Sequence, residues 1–456
     1  MKKDRKNSSG IWQLVDSLEG DKVIWMILLL LIMISILAIS SSTSLLAIQK
    51  HTTRDAIIRE QVFVVAAGIG LVIGLYNLKN TKWLLKASKW GYLLSMMMLI
   101  FLFAKLKLGP IRAVTLNGAT RAISIFGVQL HAFEFVKIFM VMYLAWAIDA
   151  FKRDDLTLAN TLCKIDRLGF LARPTWKLTM YIYFPILSVC ILLLNGSGSS
   201  AIFIGGIMFL TILVGGISIK SVIPYIGIAI LVFGLCAGIS FGTDGKVFPR
   251  FKTMIGRFVS HSTDFEEQLM ALNKGSVQFQ EVLDAAKQPL SAKMAIKEGG
   301  VLGKGAGKST QKYIVPIMFE DYMFSFIVEE YGLWGALIII ALYAAIVARG
   351  SIIVRNCDSH FAKAAVAGLV LLISGQAFMH IMINADFGPH TGQTLPLISH
   401  GKSSFLAFCG AFGIILAISR IAKTRIDKEA DKARPLVSND DSVKESLNEL
   451  DQLDNL

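Results

Sequence analysis

Inside stretches that are otherwise apolar, the chain carries a small set of ionisable and amide side chains. Glu134 and Lys137 stand three residues apart, hence on one helical face. Asp321 opens a second apolar run that also holds Glu329 and Glu330, and Gln376 and His380 lie four apart in a third. Charge is costly in a bilayer, so each of these groups is a candidate for function. Two plainer readings compete: Glu134 and Lys137 as an ion pair that neutralises itself, and His380 as a helix–helix hydrogen-bonding group. Between Asn384 and Phe405, two prolines with glycines and hydroxyls make a structured loop that offers Ser399, Lys402 and Ser403. Gly118-Ala119-Thr120-Arg121 places a lone cation, Arg121, shortly before Glu134.

The elements that must position these residues are membrane helices. Of 456 residues, 54% are apolar and only 17% charged, too little polar surface to cover a globule in water. Stretches near the ~20 residues needed to span a bilayer fall at 23–46, 60–78, 90–108, 131–149, 178–195, 200–217, 222–241, 321–348, 362–385 and 403–422. The net charge of +13 would suggest nucleic acid in a soluble protein; here Lys and Arg flank spans and set orientation, and nucleic-acid binding is excluded. With the N-terminus inside, the cytoplasmic loops hold 14 Lys and Arg and the short outer loops eight, which favours both termini in the cytoplasm. The expected fold is an all-α integral membrane protein of about ten transmembrane helices. A cytoplasmic segment 1–22 precedes a membrane domain 23–422 with one large extracytoplasmic loop, 242–320, and a cytoplasmic tail 423–456 follows.

Depth sharpens the functional reading. At 1.5 Å per residue, Glu134 and Lys137 lie within ~10 Å of the outer surface, Asp321 on the rim, Glu330 ~14 Å below it and His380 ~8 Å from its helix end. The polar groups therefore converge in the outer half of the bilayer, where an enzyme acting on a lipid head group would need them. An ion-coupled transporter would hold its site nearer the midplane. Gly303 to Thr310 imitates a phosphate-binding loop, but position 302, where that motif needs glycine, is Leu302, and no strand precedes it.

Several motifs in order resemble the SEDS family (shape, elongation, division and sporulation), whose members include FtsW and RodA. They are Gly299-Gly300-Val301-Leu302-Gly303-Lys304-Gly305, Gln311-Lys312, Val315-Pro316, Glu320-Asp321-Tyr322-Met323-Phe324 and Glu329-Glu330-Tyr331-Gly332. Gly392-Gln393-Thr394-Leu395-Pro396-Leu397-Ile398-Ser399-His400-Gly401-Lys402-Ser403-Ser404 follows, and Gly118 to Arg121 and Glu134 to Lys137 match upstream. The chain departs from the family pattern at His131-Ala132-Phe133, at Asn195 to Ser199, where an acid is lost, at Glu320 in place of Thr, and at His380 in place of the usual Asn of the ninth span.

The resemblance implies a peptidoglycan glycosyltransferase that polymerises lipid II at the outer face of the bacterial cytoplasmic membrane. Lipid II is a disaccharide-pentapeptide on undecaprenyl pyrophosphate. The enzyme would work with a class B penicillin-binding protein and other division proteins, the septal FtsW type being favoured over the RodA type. Asp321 is then the expected general base, and Asp264, in a similar Thr-Asp-Phe context, a poor substitute for it. Arg121, Lys137, Lys312 and Lys402 are candidates to stabilise the pyrophosphate leaving group, with Glu134, Glu330, Gln376, His380, Ser399 and Ser403 as further substrate-binding groups. A divalent cation, Mg or Mn, could share that task, although the sequence shows no metal motif. A lipid-II flippase and a non-catalytic division scaffold are the alternatives.

Overall fold

A computed structural model of the chain describes residues 19–49, 51–116, 119–164, 166–243, 269–274, 276–315, 318–388 and 392–438. Asp264 lies outside the described residues, as do Gly118, Pro316 and much of the 242–320 loop.

All ten apolar stretches are helical over most of their length, although the stretch 90–108 leaves the helix after Phe103 and ends in a strand. They form α1 (Lys22–Ser42), α2 (Arg54–Tyr76), α3 and α4 (Thr81–Ser88 and Gly91–Phe103), α5 (Ala132–Lys152), α6 (Pro174–Gly196), α7 (Gly198–Val214) and α8 (Ile219–Gly242). After α9 (Val277–Gly299) come α10 (Met323–Asn356), α11 (His360–Asn384) and α12 (Lys402–Ser438). Among the described residues, seven helices are long and apolar enough to cross a membrane, or eight if α3 and α4, bent by 41°, are one span. The other two fall short for opposite reasons. α7 has 17 residues, and α5 carries Glu134, Lys137, Asp149 and Lys152. The chain is a multi-pass membrane protein, predominantly helical as expected.

Side-chain caps fix where several helices begin. Asp21 accepts from Val23 and Ile24 at the start of α1, Thr53 caps α2, and Ser359 caps α11. α5 and α11 lie at the centre, with most of their residues buried. Three polar groups at α1 find partners in the C-terminal third of the chain. Asp21 meets Arg349, Ser35 Oγ donates to the Ile398 carbonyl at 3.0 Å, and Ser41 Oγ donates to Glu330 Oε1 at 2.6 Å.

One segment departs from helix. Between α4 and α5 lies an antiparallel sheet in the order β1 (Lys107–Leu108), β2 (Ile111–Leu116), β3 (Ala119–Ile125), β4 (Val128–His131). Ile125 pairs with Val128 across a two-residue turn, Phe126-Gly127, both with positive φ, the geometry that suits a hairpin's twist. The segment 242–320, expected as one large extracytoplasmic loop, contains α9, a 23-residue helix capped by Ser276.

Candidate active site

Asp321 ends a single helical turn, Met318–Asp321, just before α10. Its backbone is held by two other segments. Ser399 Oγ donates to the Glu320 carbonyl at 2.7 Å, and the His400 amide donates to the Phe319 carbonyl at 2.9 Å. Asn384 Nδ2 donates to the Asp321 carbonyl at 3.1 Å. These contacts leave the turn's backbone little freedom. The half-buried Asp321 side chain packs beside Gly392, where an added Cβ would stand 2.9 Å from Asp321 Oδ2.

His380 is buried behind this turn. Its Nε2 accepts from the Phe324 amide at 3.3 Å, and its Nδ1 meets the Gln393 carbonyl at 2.6 Å. An amide only donates and a carbonyl only accepts, so the ring is neutral with its proton on Nδ1. His380 thus ties α10 to the Gln393 backbone. Asn384, one turn further along α11, is fully engaged. Besides Asp321, its Nδ2 donates to the His380 carbonyl at 2.8 Å, and its Oδ1 accepts from Ser325 N at 3.0 Å and Ser325 Oγ at 2.9 Å.

The Glu134–Lys137 pair faces the same loop. Lys137, 1% exposed, donates to Glu134 Oε1 at 2.8 Å and to Gln376 Oε1 at 2.7 Å. Gln376 Nε2 in turn donates to the Thr394 carbonyl at 2.9 Å, and Thr394 Oγ1 lies 2.7 Å from Ser404 Oγ. Glu134 Oε2 is buried without a partner. At the N-terminus of α5, Ser403 Oγ accepts from the His131 amide at 2.9 Å, while Arg121 Nε donates to the Gly196 carbonyl at 3.1 Å. Gln393 Nε2 reaches Ser200 Oγ on α7 at 3.2 Å. Residues 392–404 therefore bind the Asp321 turn, the Lys137 pair and the β4–α5 junction as one piece.

Two expected cations lie elsewhere. Lys402 pairs with Glu60 of α2 in an exposed ion pair. Lys312 is buried against the Gly307 carbonyl at 2.7 Å, with Glu330 Oε1 at 3.7 Å, so Lys312 and Glu330 belong to a second network. Its hub is Glu329, fully buried, which accepts from Lys304 Nζ and the Thr310 amide, both at 2.8 Å, and from Ser309 Oγ. The glycines of the motif make this packing possible. α10 breaks at Gly332, φ +67, and a Cβ there would come within 2.2 Å of the Val301 carbonyl oxygen. A Cβ on Gly303 would stand 2.3 Å from the Glu330 carbonyl oxygen. The glycine run that imitates a phosphate loop wraps this break. At its edge Lys304 holds the Glu298 carboxyl below the usual range by hydrogen bonding. Burial pushes the Lys304 ammonium down, but its bonds to Glu298 and Glu329 outweigh that and raise it.

A divalent cation held by protein side chains alone would need clustered donors, whereas one shared with a substrate pyrophosphate needs only one or two carboxylates. Among the described residues, no group of three His, Cys, Asp or Glu side chains could hold one, and the amides and hydroxyls around Asp321 are committed to each other and to backbone.

The chain belongs to the family of cell cycle proteins that comprises FtsW, RodA and SpoVE, whose model matches residues 21–424. It is 29% identical over 312 residues to a Bacillus subtilis protein named probable peptidoglycan glycosyltransferase FtsW, covering 68% of this chain and 69% of that one. A Marinobacter nauticus protein of the same name is 26% identical over 408 residues, 87% of this chain and 86% of its own. The Escherichia coli K12 peptidoglycan glycosyltransferase MrdB is 31% identical over a shorter 163 residues, 35% and 43% of the two chains. In fold the chain is similar to a protein solved in a peptidoglycan synthase complex described as coordinating polymerization and crosslinking, with TM-score 0.57 and 18% identity over 88% of this chain and 98% of that one. It is also similar to the Thermus thermophilus rod shape determining protein RodA, with TM-score 0.51 and 17% identity over 89% and 98%.

Proposed function

We propose that this chain is a peptidoglycan glycosyltransferase that joins lipid II into glycan strands at the outer face of the cytoplasmic membrane, in septal division. The observation that carries the reading is the 392–404 segment, which locks the Asp321 turn and the buried Lys137 to one frame. Asp321 takes the proton of the acceptor sugar hydroxyl as its oxygen attacks the donor's anomeric carbon. The anomeric bond to the pyrophosphate breaks, and undecaprenyl pyrophosphate leaves with the developing charge. Arg121, half-buried on β3 before the Glu134–Lys137 pair, is the preferred cation for that charge. Lys137 supports the site from within, through Gln376. Peptide crosslinking falls to a class B penicillin-binding protein packed against the spans.

The test is strand length from purified lipid II with the chain and such a partner. Asp321→Asn keeps shape but removes the base, and a loss of about 10²–10⁴ in rate is expected, with Glu320→Gln milder. Near-normal strands from Asp321→Asn would overturn the assignment. Full activity without any partner would refute the dependence on one.

A further inference from the structure

The β1–β4 sheet is fastened at two places to the ends of spans. At one, Arg121 of β3 donates to the carbonyl of Gly196, the last residue of α6. At the other, the Leu106 amide donates to the Phe101 carbonyl in the last turn of α4 at 3.2 Å, and the Leu106 carbonyl accepts from Ala113 of β2 at 3.0 Å. Ala113 pairs with Ile123 of β3, so the sheet crosses from the end of α6 to the end of α4. It lies on the Asp321 side, because the His131 amide at the end of β4 donates to Ser403. Past Ala113 the strands run on, away from α6, for three more residues, about 10 Å. They close in two adjacent turns, Gly109-Pro110 and Phe126-Gly127, joined by the Phe126 amide donating to the Pro110 carbonyl at 3.2 Å. This tip overhangs the end of α4, where Ile100 and Phe103 are exposed to the bilayer.

The side chains of the tip are ill suited to water. Leu108, Phe126 and Val128 are 62%, 83% and 60% exposed. Phe126 holds φ +49 at a turn position that favours Asn or Gly, so a bulky aromatic stands where the backbone disfavours one. Beside it are three exposed cations, Lys105, Lys107 and Arg112. Lys107 and Arg112 are directly opposite each other across β1 and β2, a like-charge pair that destabilises a sheet. Residues 104–133 contain no Asp or Glu to relieve it. The end of a span lies at the level of the head groups, and there both defects are removed: the apolar side chains enter the acyl boundary and the cations meet phosphates. We propose that the tip of this sheet is a membrane-interface anchor that binds anionic phospholipid in the leaflet on the Asp321 side.

Spin labelling of the full chain in nanodiscs tests this, with labels at Phe126→Cys, Val128→Cys and Thr115→Cys, and the labelled wild type subtracted for its native thiols. Thr115 is exposed on β2 at the end of the sheet away from the tip. The readout is collision with oxygen, which concentrates in lipid, against a nickel chelate, which stays in water. In phosphatidylglycerol, oxygen should dominate at 126 and 128 and nickel at 115. Lys107→Gln should lower the inserted-to-free ratio of the tip about fivefold, and Lys107→Gln with Arg112→Gln about thirtyfold. Phosphatidylcholine should lower it in the same direction. Nickel-dominated collision at both 126 and 128 would overturn the proposal, as would equal insertion in the two lipids or an unaffected double variant. Shielding that arises only when a purified class B penicillin-binding protein is added would show that the tip docks a protein instead.

Discussion

Gly392 and Asp321 are in side-chain contact range only because Gly392 has no side chain: a Cβ there would stand 2.9 Å from Asp321 Oδ2. The carboxylate must shift if that position is filled. Gly392→Ala is therefore expected to fold and to lose about 10–10² in polymerisation rate through displacement of the base. Strand synthesis from purified lipid II measures this. Wild-type rates in Gly392→Ala would show that the Asp321 side chain works from another rotamer.

Lys137→Met would leave Glu134 without its cation and Gln376 Oε1 without its donor in the core. Breaking a buried pair from one side costs about 3–5 kcal/mol, so a clear drop in melting temperature in detergent is expected. Glu134→Gln added to Lys137→Met removes the stranded charge and should recover part of the loss. No recovery would mean that Lys137 acts mainly through Gln376.

The glycine run offers an internal comparison. Gly307 has φ +80 and open space around it, whereas Gly303 has φ +79 and the Glu330 backbone against it. Gly307→Ala should cost about 1–2 kcal/mol, from backbone conformation alone. Gly303→Ala adds overpacking of about 1–3 kcal/mol. Equal melting temperatures for the two variants would contradict the packing at the Gly332 break.

The Glu298–Lys304 contact should respond to pH at both extremes. Glu298 has its folded pKa below the ordinary 4.5, so its contribution is present above 4.5 and is lost as pH falls through the folded value. Lys304 is raised above 10.5, so its contribution holds below 10.5 and is lost as pH rises further. Amide protection of residues 300–311 should be flat between these limits. A midpoint near neutrality would point to a different group.

Sidedness can be read from a single thiol. Ser276 caps α9, so the neighbouring exposed Lys274 is the better position. Lys274→Cys should react with an impermeant thiol reagent in spheroplasts. Labelling only after lysis would put the 242–320 segment, and Asp321 with it, on the cytoplasmic side.

The spans were legible because bilayer-length apolar runs have few alternatives, and Gln376 with His380 was legible as one helical face. Asn384 extends that face by one turn, yet it reads as the start of a loop because the residues after it break the apolar pattern. The strands were hidden differently. Residues 111–125 alternate and are rich in β-branched types, but a short segment between spans is read as a connector. The dispersal of the cations could not be seen at all. Lys402 finds Glu60 342 residues away, and nothing local to either residue encodes that pairing. The glycine run was recognisable as a motif, but its close backbone approach to α10 exists only in three dimensions.

The way α1 is seated also bears on how the protein is made. Asp21 and Arg349 are 328 residues apart, and Ser35 and Ile398 are 363 apart. At about 5–20 residues per second, Arg349 leaves the ribosome roughly 16–66 s after Asp21. Through that interval the first span lies in the bilayer with polar groups whose eventual partners have not been synthesised. It can be inserted early, but it cannot be docked until translation is nearly finished. Nascent chains released before residue 398 should accordingly be recognised as unassembled and cleared by membrane proteases.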